Sequence, residues 1–435
     1  MKNFPKNIFL LLTILFITAI FVVFLPGIKP IKLYTIGEIS ASAIFLVLCF
    51  LIKKYDLPWK FIAGFTIGFI VIRIILINLH PIGSDDYYRY VWDGKVHMNG
   101  INPYRYAPDD AALNNLHSDI LPRLVNHPEM KTIYPPLSEI LFFVSYLIGG
   151  ESFFGIKILI LIFDLMTIWG IYLILKKLKL PEKYLLIYIL CPLILFQFFI
   201  DAHVDGFGLP FMIFSLYFYL DKKNTLSYVL LGLSLCVKPL GLILVPIYFF
   251  NEKKFTEKIK AAVIPVLIYG LSYVPYIFTG TPFKALMEFT ENWTFNGVVF
   301  NILDSFIKDN QRARLICAGL LFISYLGILF TKKDILEKLY LSIFLLYIFS
   351  PVVHPWYLSW FVILLPIIPR WSGITYVSLI SLTAFTVLNY QLNGIWKDYT
   401  SVLAIEYAPV LLLFIYEIFT VNPRIGKLSI TQVKD

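Results

Sequence analysis

At 435 residues the chain has the length of two or three soluble domains, but 59% of it is hydrophobic, only 15% is charged, and mean hydropathy is +0.77. A soluble domain carries about 25% charged residues, so lipid must be the solvent for most of this surface, which excludes a disordered chain, a coiled coil and a DNA-binding domain. The excess of 37 Lys+Arg over 28 Asp+Glu, a net +9, then reads as basic loops that orient the chain in a membrane rather than as a nucleic-acid surface.

The first apolar run, 8–25, follows Lys2 and Lys6. It is too long for the core of a cleaved signal, and no small-residue cleavage site follows, so a spanning helix with a cytoplasmic N-terminus is expected. Apolar runs recur near 35–52, 59–79, 153–175, 184–200, 206–220, 225–237, 239–250, 259–279, 312–330, 336–350, 355–369, 372–390 and 402–420. The pattern predicts an all-α polytopic membrane protein with about fourteen transmembrane helices. The run 137–148 is different. At 1.5 Å per residue it reaches only about 18 Å, against a hydrocarbon core about 30 Å thick, so it should lie along the surface or dip in and return. Residues 225–250 must form two short helices that meet at Lys238-Pro239, because proline ends the first.

These two assignments put the basic loops 53–60, 176–183, 221–224, 251–260 and 331–338 on one side, together with the N-terminus and a tail carrying Arg424, Lys427 and Lys434. That is the positive-inside pattern of a plasma-membrane protein with both termini cytoplasmic. The loops 80–152, 201–205, 280–311, 351–355 and 391–401 and the Lys238-Pro239 tip become external. The expected organisation is two N-terminal spans (1–58), a module carrying the long loop 80–152 (59–250), a second transmembrane module (251–420) and a cytoplasmic tail (421–435). Cys49, Cys191, Cys236 and Cys317 lie in or beside apolar runs without metal-ligand spacing and read as small packing residues.

The long external loop begins HPIGSDDYYRYVWDGKVHMNGINPYRYAPDD. Ser84 suits an N-cap, and a helix is expected from Asp85 to about Asn99, where Gly100 ends it. Asp85, Arg89 and Asp93 share a face at spacing four, and Asp86 lies about 100° around. Two readings fit. The acids complement the helix dipole and pair along one face, or a carboxylate beside the membrane acts as a general base near a phosphate site. Neighbouring helical acids diverge and chelate one ion poorly, so no metal is indicated here. The loop closes in Lys131-Thr-Ile-Tyr134-Pro-Pro136, either a rigid turn or a pocket wall lined by Lys131 and Tyr134.

Other polar residues gather at the same side. The turn Asp201-Ala-His203-Val-Asp205 sets two carboxylates and an imidazole at a membrane face, where they need a partner or a use. Lys238 either snorkels to headgroups or faces a lipid phosphate. His354-Pro-Trp356-Tyr-Leu-Ser-Trp360 starts another span; its aromatic residues suit an interfacial belt, but a histidine between prolines does not. The loop Glu291-Asn-Trp-Thr-Phe-Asn296 suits sugar stacking. Asp164, in mid-span, is either a functional group or a helix–helix polar contact.

The ordered set SDDYYRYVWDG, GINPYRYAP, TIYPP, an intramembrane Asp, DAHVD, Lys-Pro at a hairpin and HPWYLSW resembles the GT-C superfamily of membrane glycosyltransferases over about residues 55–420. It is most similar to polyprenol-phosphate-mannose-dependent mannosyltransferases, including alpha-1,6 lipoglycan enzymes, with the first two spans preceding the shared module. The resemblance implies inverting transfer of a hexose from a polyprenyl-phosphate sugar to a glycolipid or glycan acceptor. It implies an acid of the first external loop as base, hence Asp85 or Asp86; Asp85 is preferred because it shares its helical face with Arg89. Arg89, Lys238 and His354 would then stabilise the phosphate leaving group, while His203, Asp205 and Tyr134, with Lys131 and Trp356 nearby, would hold sugar and acceptor. No cofactor and no nucleotide-sugar site are expected, since no G-x-G-x-x-G or P-loop pattern occurs. The rival class, a transporter or flippase of lipid-linked sugars, predicts polar residues at the bilayer midplane and an inverted repeat.

Overall fold

The computed structural model describes residues 4–420, so the expected cytoplasmic tail lies outside the described residues. Among them the regular structure is helical, with two isolated bridges, from Phe295 and from Asn296, to Val352. The first six helices are α1 (Lys6–Phe21), α2 (Pro30–Lys54), α3 (Trp59–Leu76), α4 (Asp86–Met98), α5 (Pro136–Gly149) and α6 (Phe154–Lys177).

Among the described residues, eight helices are long and apolar enough to cross a membrane, and the pair Glu182–Ile189 and Pro192–Ile200, bent by 44°, makes a ninth. The expected count of about fourteen spans is not confirmed, because several of the expected spans are shorter helices. Val204–Leu220, Asn224–Leu235 and Pro239–Asn251 are shorter helices, and Ile335–Phe349 has 15 residues. The largest departure is at 355–369, expected as a helix. Pro355–Leu358 and Ser359–Val362 are single turns, and irregular chain follows to Pro369. Pro366 and Pro369 remove backbone donors there. Trp360, Phe361, Val362, Ile363, Leu364 and Leu365 are fully buried. Irregular backbone is tolerated at membrane depth where protein rather than lipid surrounds it.

The basic loops meet at one end of the bundle. Lys183 donates to the Tyr55 carbonyl at 2.6 Å, Lys53 to that of Pro369, and Lys177 pairs with Asp221 at 2.5 Å. Asn224 donates to Glu252 at 3.0 Å, Phe250 packs edge-on against Phe330, and Arg370 meets Glu337 at 2.5 Å. Phe4 packs on Tyr55 and Phe61 at the same end.

The non-basic loops meet at the other. Asn102 donates to Thr279 at 2.8 Å, Gln391 to the Ile82 carbonyl at 2.7 Å, and Lys238 pairs with Asp205 at 2.5 Å. Helix α5 starts and finishes here. The Leu137 amide donates to the Cys236 carbonyl, and the residue after its C-cap, Glu151, binds Lys95 and Ser118. Asn224–Leu235 and Pro239–Asn251 form a hairpin with Lys238 at its tip.

Between the ends, Arg73 and Asp164 form a buried ion pair at 2.9 Å, with Tyr188 donating to the second Asp164 oxygen at 2.7 Å. Asp164 is thus a helix–helix contact. The four cysteines are free and buried.

Candidate active site

The site is assembled around the start of α4. The Ser84 hydroxyl accepts from the Asp86 amide at 3.2 Å, and Asp85 takes the N-cap position, so the helix begins one residue later than its sequence suggested. This offset separates the two acids. Asp85 is exposed, whereas Asp86 turns inward with its side chain 22% exposed. Asn126 bridges them, donating to Asp86 at 2.7 Å and Asp85 at 3.1 Å. Tyr90 lies one turn along and donates to Asp86 at 3.4 Å, and His203 Nδ1 is 3.6 Å from the same carboxylate. Burial, and then the neighbouring Asp85 charge, push the Asp86 carboxyl up to about 6 against the hydrogen bonds of Asn126 and Tyr90.

Arg89 does not join Asp85. Its Nε meets both oxygens of Asp93 at 3.1 and 3.0 Å, and the residue is 6% exposed. The spacing of four serves both acids, but only Asp93 is inside the helix with it.

The turn after the bent helix pair supplies the facing wall. His203 is fully buried, and neither ring nitrogen has a hydrogen-bond partner. Burial, helped by the positive charge of Lys238, holds it well below the usual imidazole range, so the ring is neutral. Its face stacks on Trp356 with centroids 3.7 Å apart; Trp356 stacks on His354 at 4.3 Å, and His354 on Phe295 at 4.6 Å. Three distant chain segments therefore contribute to one four-ring stack. His354 is pushed down to about 3 by burial and then by Lys238.

Asp205 makes no hydrogen bond to His203. It accepts from Lys238 at 2.5 Å and from the Trp360 indole at 2.9 Å. The Lys238 ammonium also sits 3.6 Å from the centroid of Tyr357, a cation–π contact. Burial lowers Lys238, opposed by Asp205. Tyr134 borders the cluster, its ring edge-on to Tyr90 at 5.3 Å and its carbonyl held by Tyr104 at 2.6 Å. Lys131 instead bonds Thr281 at 3.1 Å. Among the described residues no three His, Cys, Asp or Glu side chains converge as metal ligands.

The structure thus unites Asp85, Asp86, Tyr134, His203, Asp205, Lys238, His354 and Trp356, and leaves Arg89 and Lys131 in separate contacts. It adds Asn126, Tyr90, Tyr357, Trp360 and Phe295. Trp360 and Phe295 lay in motifs already noted; Asn126 carries no sequence signal, since nothing in a polar loop marks one amide over another.

Residues 70–251 match the family model described as alpha-(1->6)-mannopyranosyltransferase, N-terminal domain. Residues 304–417 match the MptB C-terminal domain. The two matches follow in chain order and together take in about two thirds of the 435 residues. The chain belongs to this mannosyltransferase family. It is a membrane glycosyltransferase of GT-C type, as the ordered motifs implied. The first match contains Asp85, Asp86, Asn126, His203, Asp205 and Lys238, and the second contains His354 and Trp356. No curated protein matches the chain at a significant level.

Proposed function

We propose that this mannosyltransferase takes mannose from a polyprenyl-phosphate carrier and transfers it, with inversion, to a glycan or glycolipid acceptor on the non-cytoplasmic face. The observation that carries the reading is Asp86. It is a half-buried carboxylate raised to about 6, 3.6 Å from a neutral buried imidazole, at the end of the bundle away from the basic loops. A base poised near neutrality beside a lipid-facing bundle suits an acceptor hydroxyl.

In this hypothesis Asp86 accepts the hydroxyl proton as the oxygen attacks the anomeric carbon. The bond from that carbon to the phosphate oxygen breaks, and polyprenyl phosphate leaves as an anion. A phosphate monoester needs cationic stabilisation rather than a general acid. Lys238 is the nearest ammonium, and its contact with Asp205 can be shared with an arriving phosphate. The unsatisfied nitrogens of His203 and His354 Nδ1 suit sugar or acceptor hydroxyls, and Trp356 is half-buried beside both rings. Asp85, exposed and tied to Asn126, would keep Asn126 in place. Arg89 would act indirectly, fixing α4 through Asp93. The basic end faces the cytoplasm under the positive-inside rule, which supports an external site.

The test uses purified protein in liposomes with synthetic polyprenyl-phosphate [¹⁴C]mannose and an α-mannoside glycolipid. Label should pass to the acceptor, and GDP-mannose should give none. Efficient transfer from GDP-mannose in the absence of any polyprenyl phosphate would overturn the donor class.

A further inference from the structure

Helix α2 lies outside both family-matched segments, yet it reaches the site. Tyr34, in its first turns, donates to Asp201 Oδ2 at 2.5 Å. The other oxygen, Oδ1, accepts from two consecutive backbone amides, Ile82 at 3.1 Å and Gly83 at 2.7 Å. Those amides belong to the short segment that enters α4 two residues before Asp85. Asp201 is 1% exposed and Tyr34 2%. Gln197 donates to the Tyr34 oxygen at 3.2 Å and to Glu38 of α2 at 3.0 Å. The same segment is gripped elsewhere. Lys157 of α6 donates to the Leu79 carbonyl, and Gln391 to that of Ile82 at 2.7 Å.

Gly83 fits only because it has no side chain. A Cβ there would lie 2.5 Å from Asp201 Oδ2 and 2.8 Å from the Tyr34 ring. A loop whose backbone is held by side chains from two helices and a turn, with the turn's carboxylate itself fixed from α2, is not one left free to rearrange. A carboxylate taking two amides and a phenol is a strong, directional anchor, since hydrogen bonds to charged groups exceed neutral ones.

We infer that Tyr34 and Asp201 form a clamp that sets the position of the start of α4, and hence of Asp86, making Asp201 and Tyr34 positioning residues of the transferase and α2 an integral part of its site. Asp201 touches no reacting atom; it acts through the Ile82-Gly83 backbone. The link to rate rests on the mannosyl-transfer reading above, whereas the clamp itself does not.

Two measurements on the full chain in nanodiscs separate these. The first is amide hydrogen exchange over residues 80–88. Asp201→Ala should speed exchange at Ile82 and Gly83 by about tenfold or more, because both amides lose their acceptor. Tyr34→Phe should give a smaller rise, and Asp201→Asn, which keeps Oδ1 as acceptor, should stay close to the parent. The second is steady-state transfer. Asp201→Ala should lose about 100-fold in kcat with donor KM nearly unchanged, the signature of a misplaced base rather than a lost ligand contact. Asp201→Asn should recover most of it. Unchanged exchange in Asp201→Ala overturns the clamp. Raised exchange with parental kcat, or an Asn variant as impaired as Ala, overturns the positioning role. If the parent transfers no mannose, the functional reading fails and the exchange arm still decides the clamp. If Asp201→Ala does not fold, Tyr34→Phe, which keeps the ring packed on Phe196, carries both measurements.

Discussion

At the basic end, Lys177 meets Asp221 with side chains 32% and 22% exposed, and Lys176 meets Glu182 with the lysine 57% exposed. At the other end, Lys238 meets Asp205 with 26% and 7% exposed, Asp201 is closed in under Tyr34, and two histidines are held neutral by burial. In these pairs the same residue types are treated in opposite ways, although the basic end also holds one buried pair, Arg370 with Glu337. Wet charges of this kind suit orientation under the positive-inside rule, a long-range property that depends on where lysines are, not on what they touch. At the other end burial raises Asp86 and lowers Lys238 and both histidines, and shifts of this kind are what acid–base chemistry near neutral pH needs. Such a site is bought with stability, and that trade separates the two ends experimentally.

The largest effect should come from Asp86. Asp86→Asn keeps an acceptor for Asn126 but removes the base, and transfer should fall by about 1000-fold or more, while Asp85→Asn stays within about tenfold. Equal losses at both positions would sink the assignment to Asp86. The parent rate should rise with pH through about 6, as Asp86 gives up its proton. Stability should run the other way. The folded-state affinity for the proton is raised above the unfolded value of 3.8. The penalty for the buried charge is therefore absent below about pH 4, grows as pH rises through 6, and is full above it. Asp86→Asn should be more stable than the parent at pH 8, by up to about 3 kcal/mol, and the difference should vanish in acid. Thermal unfolding of both proteins at pH 4 and pH 8 tests the sign.

Asp164 comes next, as a buried charge with no expected role in transfer. Asp164→Ala leaves Arg73, fully buried, without its carboxylate. A loss of about 3–5 kcal/mol in stability is expected, and the double change Arg73→Leu with Asp164→Leu should restore much of it. A stable Asp164→Ala protein with transfer abolished would instead make the buried pair part of the transfer machinery.

Much of this was legible in the sequence, for reasons that also mark its limits. Run length alone distinguished α5 from a crossing, and Pro239 alone split 225–250, because both depend on local geometry. The same logic failed at 355–369. Its apolar composition matches a spanning helix, but its surroundings are protein, so lipid never forced regular hydrogen bonding there. In the site, Asp86, His203, Lys238, His354 and Trp356 were conspicuous as polar or ring-bearing residues at a membrane face. The choice of Asp85 rested on sharing a face with Arg89, which assumed the helix had already begun; the start at Asp86 removes that face. Tyr34 was invisible because it meets Asp201 across 167 positions of chain, and a tyrosine near a helix end reads as interfacial belt. Arg73 was hidden within an apolar run, so Asp164 seemed unpartnered.

The smallest effect should come from the basic end, and it tests whether exposure rather than charge type separates the two regions. Lys177 and Lys238 each hold a single carboxylate oxygen at 2.5 Å. Contact distance therefore predicts equal consequences, and burial predicts unequal ones. Lys177→Ala exposes Asp221 to water that already reaches it, and Lys223 remains at 3.0 Å as a second partner. Its cost should be about 0.5 kcal/mol or less, with transfer unchanged. Lys238→Ala strands Asp205 in a dry cluster with only the Trp360 donor, and should lower both stability and transfer. Comparable losses in the two variants, measured by melting and by label transfer in one membrane preparation, would show that the ends differ in location but not in physics.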